Sequence, residues 1–351
     1  MSWISQIARP EIVALSPYEH ASWEPHLERL HANELPWRAT GDDTQAGLNR
    51  YPEPQPRELV ARLAALYGAD PNQVLVGRGS DEAIDLLVRC FCRAGQDAVV
   101  ICPPTFGMYA VAARIQGADV VSVPLQIANG FALDVDALLK ACTPAVKLVF
   151  LCSPNNPTGN LLKLTDVLDV AGRLEGRALV VVDEAYIEFA GVPSLIRRAK
   201  DLPQLAVMRT LSKSHGLAGA RCGTLVANPE IIGLLRKIIP PYAITQLTVE
   251  AALQLLAPAE IETMHARISE IRRERDRMTQ AVGQLASVKR VWPSQSNFIL
   301  VEFAEPEVAL ALARAANLLI RDVRAQVGLP RTVRISVGTP EQNNRLLEAL
   351  R

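Results

Sequence analysis

The sequence lacks the features that mark nucleic-acid-binding, membrane or secreted proteins. Its 37 basic side chains are balanced by 37 acidic ones, so the broad positive charge that attracts nucleic acid or anionic lipid is missing. The longest uncharged stretch covers 16 residues, 98–113, and contains two prolines, which excludes a membrane helix of about 20 residues. The amino terminus has no basic and then apolar secretory pattern. We therefore expect a cytoplasmic protein that binds neither nucleic acid nor membrane.

Cysteine and lysine are also scarce. The six cysteines form no CxxC pair, and at least three lie in apolar runs, so we expect reduced structural thiols and no metal site. Only seven lysines occur, none before position 140, against 30 arginines. Where arginine is the usual cation, a lysine directly after a strand indicates a need for an amine that can lose its proton.

Short apolar runs alternate with longer amphipathic segments between residues 74 and 227. This alternation is typical of βαβ units and a buried, mostly parallel sheet. A length of 351 residues also indicates two domains, at about 150 residues per domain. We predict an α/β fold whose large domain holds a seven-stranded, mostly parallel sheet flanked by helices. The predicted strands are 74–77, 98–102, 120–123, 146–152, 178–183, 205–210 and 223–227.

The two ends of the chain have a different character. Residues 1–50 contain several prolines and little periodicity, which predicts an arm that joins the small domain or reaches a partner subunit. We assign residues 51–255 to the large domain and 256–351 to a smaller α+β domain. The elements predicted there are a helix at 261–285, strands at 288–292 and 297–303, a helix at 305–316, strands at 318–321 and 332–337, and a final helix from residue 341.

Ligands of open α/β sheets bind beyond the carboxyl ends of the strands, so the loops that follow the apolar runs are the candidate site. Residues 78–82 open a helix whose first amides could hold a phosphate, although the same pattern is typical of an ordinary helix cap. Residues 103–109 could place an aromatic ring against a flat ligand, or in the core. Residues 153–159 form either a rigid turn or a source of amide donors.

Two further loops carry charged side chains. Asp183 ends an apolar run, where a carboxylate needs a cationic or donor partner unless it caps a helix. Lys213 follows the next run, and Arg221 lies eight residues later. A desolvated lysine near a second cation has a disfavoured ammonium form, which leaves an amine able to attack a carbonyl. The alternative for Lys213 is a lysine at the surface.

Together these loops offer an anion cradle, an aromatic ring, amide donors, a carboxylate, an amine and a guanidinium. A flat, phosphorylated, carbonyl-bearing cofactor with a ring nitrogen needs that set, and pyridoxal phosphate has this chemistry. The chain resembles the fold type I pyridoxal-phosphate-dependent aminotransferases from about residue 18 to 342. The segments that carry the resemblance are 31–34, 50–52, 77–82, 104–106, 153–159, 183–186 with 188–189, 212–213 and 334–339.

The resemblance implies a role for each residue around the cofactor ring. Lys213 would bind the cofactor aldehyde covalently and then act as general base and acid. Asp183 would pair with the pyridinium nitrogen and keep it protonated. Asn156 and Tyr186 would bond the ring hydroxyl oxygen, and Tyr109 would stack on the ring.

The resemblance also implies the phosphate contacts and the assembly. The residues that would hold the phosphate are Ser80, Asp81, Ser212 and Arg221. Tyr51 would reach the phosphate of the neighbouring subunit, which implies a homodimer with two shared sites.

Within this family the resemblance points to exchange of the amino group between histidinol phosphate and 2-oxoglutarate. Both substrates end in an anion, which Arg321 and Arg334 would bind by paired hydrogen bonds, unless these arginines only serve surface solubility. Tyr18 and Asn33 would line the same pocket.

The amino donor stays open at this point. An aromatic aminotransferase and a threonine-phosphate decarboxylase are the alternatives on the same scaffold. His215 stands where phenylalanine is common and Leu35 where asparagine is frequent, and these departures leave the substrate preference unsettled. A ligand-sensing regulator is disfavoured because the chain has no basic helix-turn-helix segment.

Overall fold

A computed structural model describes residues 2–19, 24 and 26–351 of the chain. Its large sheet has seven strands in the order β1-β7-β6-β5-β4-β2-β3. β7 runs antiparallel to its neighbours β1 and β6, and the remaining pairs are parallel. The predicted α/β class and the mostly parallel sheet are confirmed. The strands are β1 (Val74–Gly77), β2 (Ala98–Ile101), β3 (Asp119–Ser122), β4 (Val146–Cys152), β5 (Leu179–Asp183), β6 (Leu205–Thr210) and β7 (Gly223–Val226).

The sheet is covered by helices on both faces, which is why its strands read as continuous apolar runs. In β5, Val180 and Val182 pack into one hydrophobic core and Leu179 and Val181 into the other. The helices of this domain are α3 (Arg57–Tyr67), α4 (Ser80–Phe91), α5 (Met108–Gln116), α6 (Val135–Ala141), α7 (Leu164–Arg173), α8 (Ile196–Ala199) and α9 (Pro229–Arg236).

A second, antiparallel sheet of four strands, in the order β10-β11-β9-β8, forms a smaller unit with its own core. Two helices, α10 (Gln246–Leu255) and the 26-residue α11 (Pro258–Gly283), lead into it. Its remaining elements are β8 (Val288–Trp292), β9 (Phe298–Phe303), α12 (Pro306–Ala315), β10 (Arg321–Asp322), β11 (Thr332–Ser336) and α13 (Pro340–Ala349).

The strand predicted at 318–321 is wrong in its position, because β10 comprises only Arg321 and Asp322. Asn317 adopts a left-handed φ of 57°, and the backbone N–H of Leu318 donates to the carbonyl of Ala313 at 2.9 Å. This bond closes the end of α12. Leu318 therefore closes the helix end, and residues 319–320 form an irregular link to β10.

The start of the arm folds onto the large domain. Two five-residue helices, α1 (Trp3–Ile7) and α2 (Pro10–Ala14), pack there. The N–H of Arg9 donates to the carbonyl of Cys90 at 3.0 Å, and the Nζ of Lys237 donates to that of Val13 at 2.7 Å. Residues 2–14 thus lie with the large domain rather than the small one, and the domain boundary at residue 50 stays a prediction.

All six cysteines are buried free thiols. Burial raises the pKa of Cys90, Cys92, Cys102 and Cys222 to about 12, so these thiols stay protonated at neutral pH. No helix in the ranges described above is both long and apolar enough to cross a bilayer.

Candidate active site

A cavity of 620 Å³ lies where the carboxyl ends of β4, β5 and β6 face the edge of the small sheet. Both sheets contribute walls, since the cavity touches residues after β5 and β6 as well as β10 and β11. Most residues singled out in the sequence meet here. The predicted site residues that line it are Ser80, Asp81, Asn156, Asp183, Tyr186, Ser212, Lys213, Arg221, Arg321 and Arg334.

One end of the cavity is suited to an anion. It is formed by the first turn of α4, with Ser80 and Asp81, and by Ser212 and Arg221. An Nη2 of Arg221 donates to Asp81 at 3.0 Å, and its Nη1 lies 3.4 Å from the hydroxyl of Ser212. Helix-start amides, hydroxyls and a guanidinium are the usual ligands of phosphate.

This end depends on a close backbone approach by Gly223, the first residue of β7. A Cβ at Gly223 would lie 2.2 Å from the carbonyl carbon of Gly79 and 2.3 Å from the nitrogen of Ser80. A Cβ at Gly79, whose φ is +84°, would lie 2.5 Å from the Nη2 of Arg221. Glycine at both positions therefore lets β7 and Arg221 pack against the start of α4.

The carboxyl end of β5 contributes a buried carboxylate to the cavity. Asp183 ends β5, is 3% exposed, and accepts hydrogen bonds from the N–H of Ala185 at 3.0 Å and the hydroxyl of Tyr109 at 2.7 Å. Burial raises the pKa of Asp183, and the hydrogen bond from Tyr109 partly offsets that rise. A carboxylate in such surroundings favours a cationic partner within the cavity.

Tyr109 is placed differently from its predicted stacking role. It is fully buried, it is not among the described residues that line the cavity, and its ring stacks on Phe150 at a centroid distance of 4.9 Å. The physical reason is that α5 begins at Met108 and turns Tyr109 toward the sheet, where its hydroxyl pairs with Asp183. Phe106 lines the cavity together with Tyr186, although no role was expected for Phe106 from the sequence.

Lys213 lines the same cavity. Its Nζ is 5.5 Å from the ring centroid of Tyr186. Burial lowers the pKa of Lys213, and the nearby charge of Arg334 lowers it further, while Asp183 acts in the opposite direction. The predicted neighbour Arg221 also lowers it, but contributes less than Arg334. The result is an amine that loses its proton more readily than an ordinary lysine.

The small sheet contributes two guanidinium groups. Arg321 and Arg334 are paired across β10 and β11, and both line the cavity. Arg334 donates through Nη1 to the side-chain oxygen of Asn156 and lies 5.2 Å from the ring centroid of Phe298. Its buried Nε has no hydrogen-bond partner within the described part of the chain. Arg334 therefore has capacity left for an anionic ligand.

Three predicted residues lie away from this cavity. Tyr51 is 49% exposed and its ring stacks on Tyr242 at 4.6 Å. Tyr18 is 68% exposed and lines a separate cleft with Glu53. Asn33 is exposed, with a φ of 57°. In residues 2–19, 24 and 26–351, none of the three lines the cavity of its own chain.

His215, which stands where phenylalanine is common in the family, also lies outside the main cavity among the described residues. His215 is mostly buried, its Nδ1 is 2.9 Å from the hydroxyl of Ser214, and it lines a smaller cavity of 300 Å³ with Phe189 and Met264. Lys213 borders both cavities. His215 is not among the described residues around the main cavity, so this departure gives no support to a changed substrate pocket.

Comparison with known proteins agrees with this geometry. The family pattern described as Aminotransferase class I and II matches residues 31–350. The chain belongs to this aminotransferase family. It is 50% identical over 323 residues to a histidinol-phosphate aminotransferase of Xanthomonas euvesicatoria pv. vesicatoria, covering 92% of this chain and 89% of that protein. It is 48% identical to a protein of the same name from Xylella fastidiosa, with coverages of 92% and 88%.

Solved structures show the same fold. A histidinol-phosphate aminotransferase from Sinorhizobium meliloti, in complex with pyridoxal-5'-phosphate, matches with a TM-score of 0.78 at 27% identity, covering 86% of this chain and 82% of that one. A histidinol-phosphate aminotransferase from Clostridium acetobutylicum also gives a TM-score of 0.78, at 24% identity, with coverages of 86% and 90%. The predicted fold type and aminotransferase family are thereby confirmed.

Proposed function

We propose that this aminotransferase uses pyridoxal 5'-phosphate to exchange an amino group between L-histidinol phosphate and 2-oxoglutarate, in the biosynthesis of histidine. The observation that carries the proposal is the single cavity that joins Lys213, Asp183 and an anion-binding helix start to two arginines of the small sheet. Relatives that are 48–50% identical and named for this reaction support the choice of substrate.

The residues around the cavity fit the cofactor. The first turn of α4, with Ser80 and Asp81, together with Ser212 and Arg221, would hold its phosphate. Asp183 would hold a protonated ring nitrogen, which supplies the charge that a buried carboxylate needs. When bound, pyridoxal phosphate supplies an electron sink for the charge left at a carbon that loses its proton. Phe106 replaces Tyr109 as the candidate to cover the ring.

Lys213 is the proposed proton carrier. Its lowered pKa increases the fraction of neutral amine at physiological pH, so Nζ can accept the proton from the substrate's α-carbon. The protonated amine would then act as the general acid that delivers this proton to the C4′ carbon of the cofactor. Arg334 assists electrostatically, because its positive charge disfavours a second cation at Lys213.

Arg321 and Arg334 are the proposed ligands of the anionic end of each substrate. One substrate ends in a phosphate and the other in a carboxylate, and a guanidinium can donate paired hydrogen bonds to either. Pairing across β10 and β11 brings the two groups to the same wall. The hydrogen bond from Arg334 to Asn156 links this wall to the loop after β4, so substrate binding and Asn156 are coupled.

We further propose a cytoplasmic homodimer with shared sites. Tyr51 is half exposed and lies outside the cavity of its own chain, as a residue that completes the neighbour's site would. Tyr18 and Asn33 are exposed in the same arm and stay proposed substrate contacts. Six buried free thiols are consistent with a reducing compartment.

Substrate exchange tests this function directly. The purified holoenzyme is given 2-oxoglutarate with either histidinol phosphate or phenylalanine, and glutamate and carbon dioxide are both measured. We expect glutamate to form at least about tenfold faster with histidinol phosphate. Faster reaction with phenylalanine would indicate an aromatic aminotransferase, and carbon dioxide release without consumption of keto acid would indicate a decarboxylase. The variant Lys213→Ala serves as the inactive control.

A further inference from the structure

A buried ionic network lies behind the wall of the cavity, and none of the roles given above uses it. Its centre is Arg209, near the end of β6 and four residues before Lys213, with 7% of its surface exposed. The Nη2 of Arg209 donates to Glu188 at 2.7 Å, and its Nη1 lies 3.6 Å from Glu184. The guanidinium carbon lies 4.7 Å from the ring centroid of Tyr67.

The two carboxylates of this network flank a cavity residue. Glu184 comes two residues before Tyr186, and Glu188 two residues after it. Glu184 also directly follows Asp183, and its backbone N–H donates to the carbonyl of Met208, next to Arg209, at 3.0 Å. A single cation on β6 therefore holds both ends of the turn that carries Tyr186.

Glu184 also binds the loop that follows, at Ser194 and Leu195. Its Oε1 accepts the N–H of Leu195 at 2.8 Å, and its Oε2 accepts the hydroxyl of Ser194 at 2.5 Å. Hydrogen bonds and ion pairs thus connect β6 through the turn 184–188 to residues 194–195.

The charges of the network do not balance on their own. Two carboxylates share one guanidinium. Tyr67 from α3 and His215 from the loop after β6 also face it, with Cys222 near Tyr67 and His265 near His215. Buried ion pairs contribute little net stability compared with apolar packing of the same volume. What such a network can supply is a fixed geometry.

We propose that Arg209 is a positioning residue for transamination, holding the turn 184–188 against β6 so that Asp183 and Tyr186 keep their places relative to Lys213. The inference rests on the function proposed above. Misplacement of reacting groups by about 1 Å can cost about a hundredfold in rate, so loosening this turn acts on the chemical step more than on substrate affinity.

Two variants and a matched control test the inference in the holoenzyme. Arg209→Lys keeps the charge but loses the planar fork, and Glu188→Gln keeps the shape but loses the charge. The control is Asp97→Asn, another buried carboxylate that accepts an arginine bond at 2.7 Å, because it lies at the opposite end of β2 from the cavity.

We expect kcat to fall by about tenfold or more in Arg209→Lys and Glu188→Gln, with KM for histidinol phosphate changed by less than about threefold. The pH midpoint of the cofactor's visible absorption should rise by about half a unit or more, since a displaced Tyr186 donates less well to the ring oxygen that is negative at high pH. Asp97→Asn should leave kcat and midpoint unchanged, whatever its effect on stability.

Three results would overturn the inference: unchanged kcat and midpoint in both network variants, a rise in KM alone, or the same changes in Asp97→Asn. Reduction of the unsubstituted holoenzyme with borohydride keeps the two proposals apart. If the cofactor is not fixed to Lys213, the proposed function fails. If it is fixed there while the network variants behave like the control, only the role of Arg209 fails.

Discussion

Replacing Gly223 with alanine would place a methyl group in the closest backbone contact of the anion-binding end. The new Cβ would lie 2.2 Å from the carbonyl carbon of Gly79, against about 3.4 Å for an ordinary contact, so β7 and the start of α4 must separate by about 1.2 Å. The two contacted atoms, the carbonyl carbon of Gly79 and the nitrogen of Ser80, belong to the backbone, so no side-chain rotation can relieve the clash. We expect a loss of about 3 kcal/mol in the free energy of unfolding.

The same displacement should weaken cofactor binding, because the amides and hydroxyls at the start of α4 move away from the phosphate. Losing one hydrogen bond to a charged group costs about 1.5–3 kcal/mol, which is about a tenfold to hundredfold rise in Kd. Dialysed protein is titrated with pyridoxal phosphate and the visible absorption is followed; urea unfolding gives the stability. The control is Gly219→Ala, where a Cβ meets nothing within 4 Å. A wild-type Kd and wild-type stability in Gly223→Ala would contradict the role given to Gly223.

Three other substitutions probe residues that line the cavity or contact a residue that lines it. Tyr109→Phe removes the 2.7 Å hydrogen bond to Asp183, so the free energy of unfolding should fall by about 1–3 kcal/mol and the pKa of Asp183 should rise further. Urea unfolding measures the first effect, and cofactor titration is the check on the second. Unchanged stability and unchanged cofactor binding would contradict this prediction. Arg334→Gln removes a positive charge that lowers the pKa of Lys213. In cofactor-free protein, chemical labelling of the Lys213 amine should therefore begin at higher pH than in wild type, as measured by mass spectrometry. An unchanged or lower onset pH would contradict the effect assigned to Arg334. Arg321→Gln should reduce kcat/KM for histidinol phosphate by about tenfold or more and that for phenylalanine much less, and equal losses would argue against an anion contact.

The sheet could be predicted from the sequence because both its faces are buried. In β5 every side chain is covered, so residues 179–182 form an unbroken apolar run that needs no alternation to be recognised as a strand. The carboxyl ends of parallel strands meet at one edge, and this rule alone brought Asp183 and Lys213 together. The family resemblance then supplied the residues of the small sheet, Arg321 and Arg334, which lie far away in the sequence.

Features that depend on side-chain direction could not be predicted. Phe106 and Tyr109 are three residues apart, and only the start of α5 decides which ring faces the cavity and which faces the sheet. The helices at 3–7 and 10–14 were missed because five residues give too few turns for a periodic pattern. The network around Arg209 was missed as well, although an arginine within an apolar strand is a visible signal of a buried ionic partner.

The proposed function requires that the amine of Lys213 carries the cofactor. Reducing the yellow holoenzyme with borohydride and mapping the labelled peptides by mass spectrometry tests it most directly. We expect one pyridoxyl group per chain, attached at residue 213, and none in Lys213→Ala. A label on another of the seven lysines, or no label on a protein that still transaminates, would contradict it.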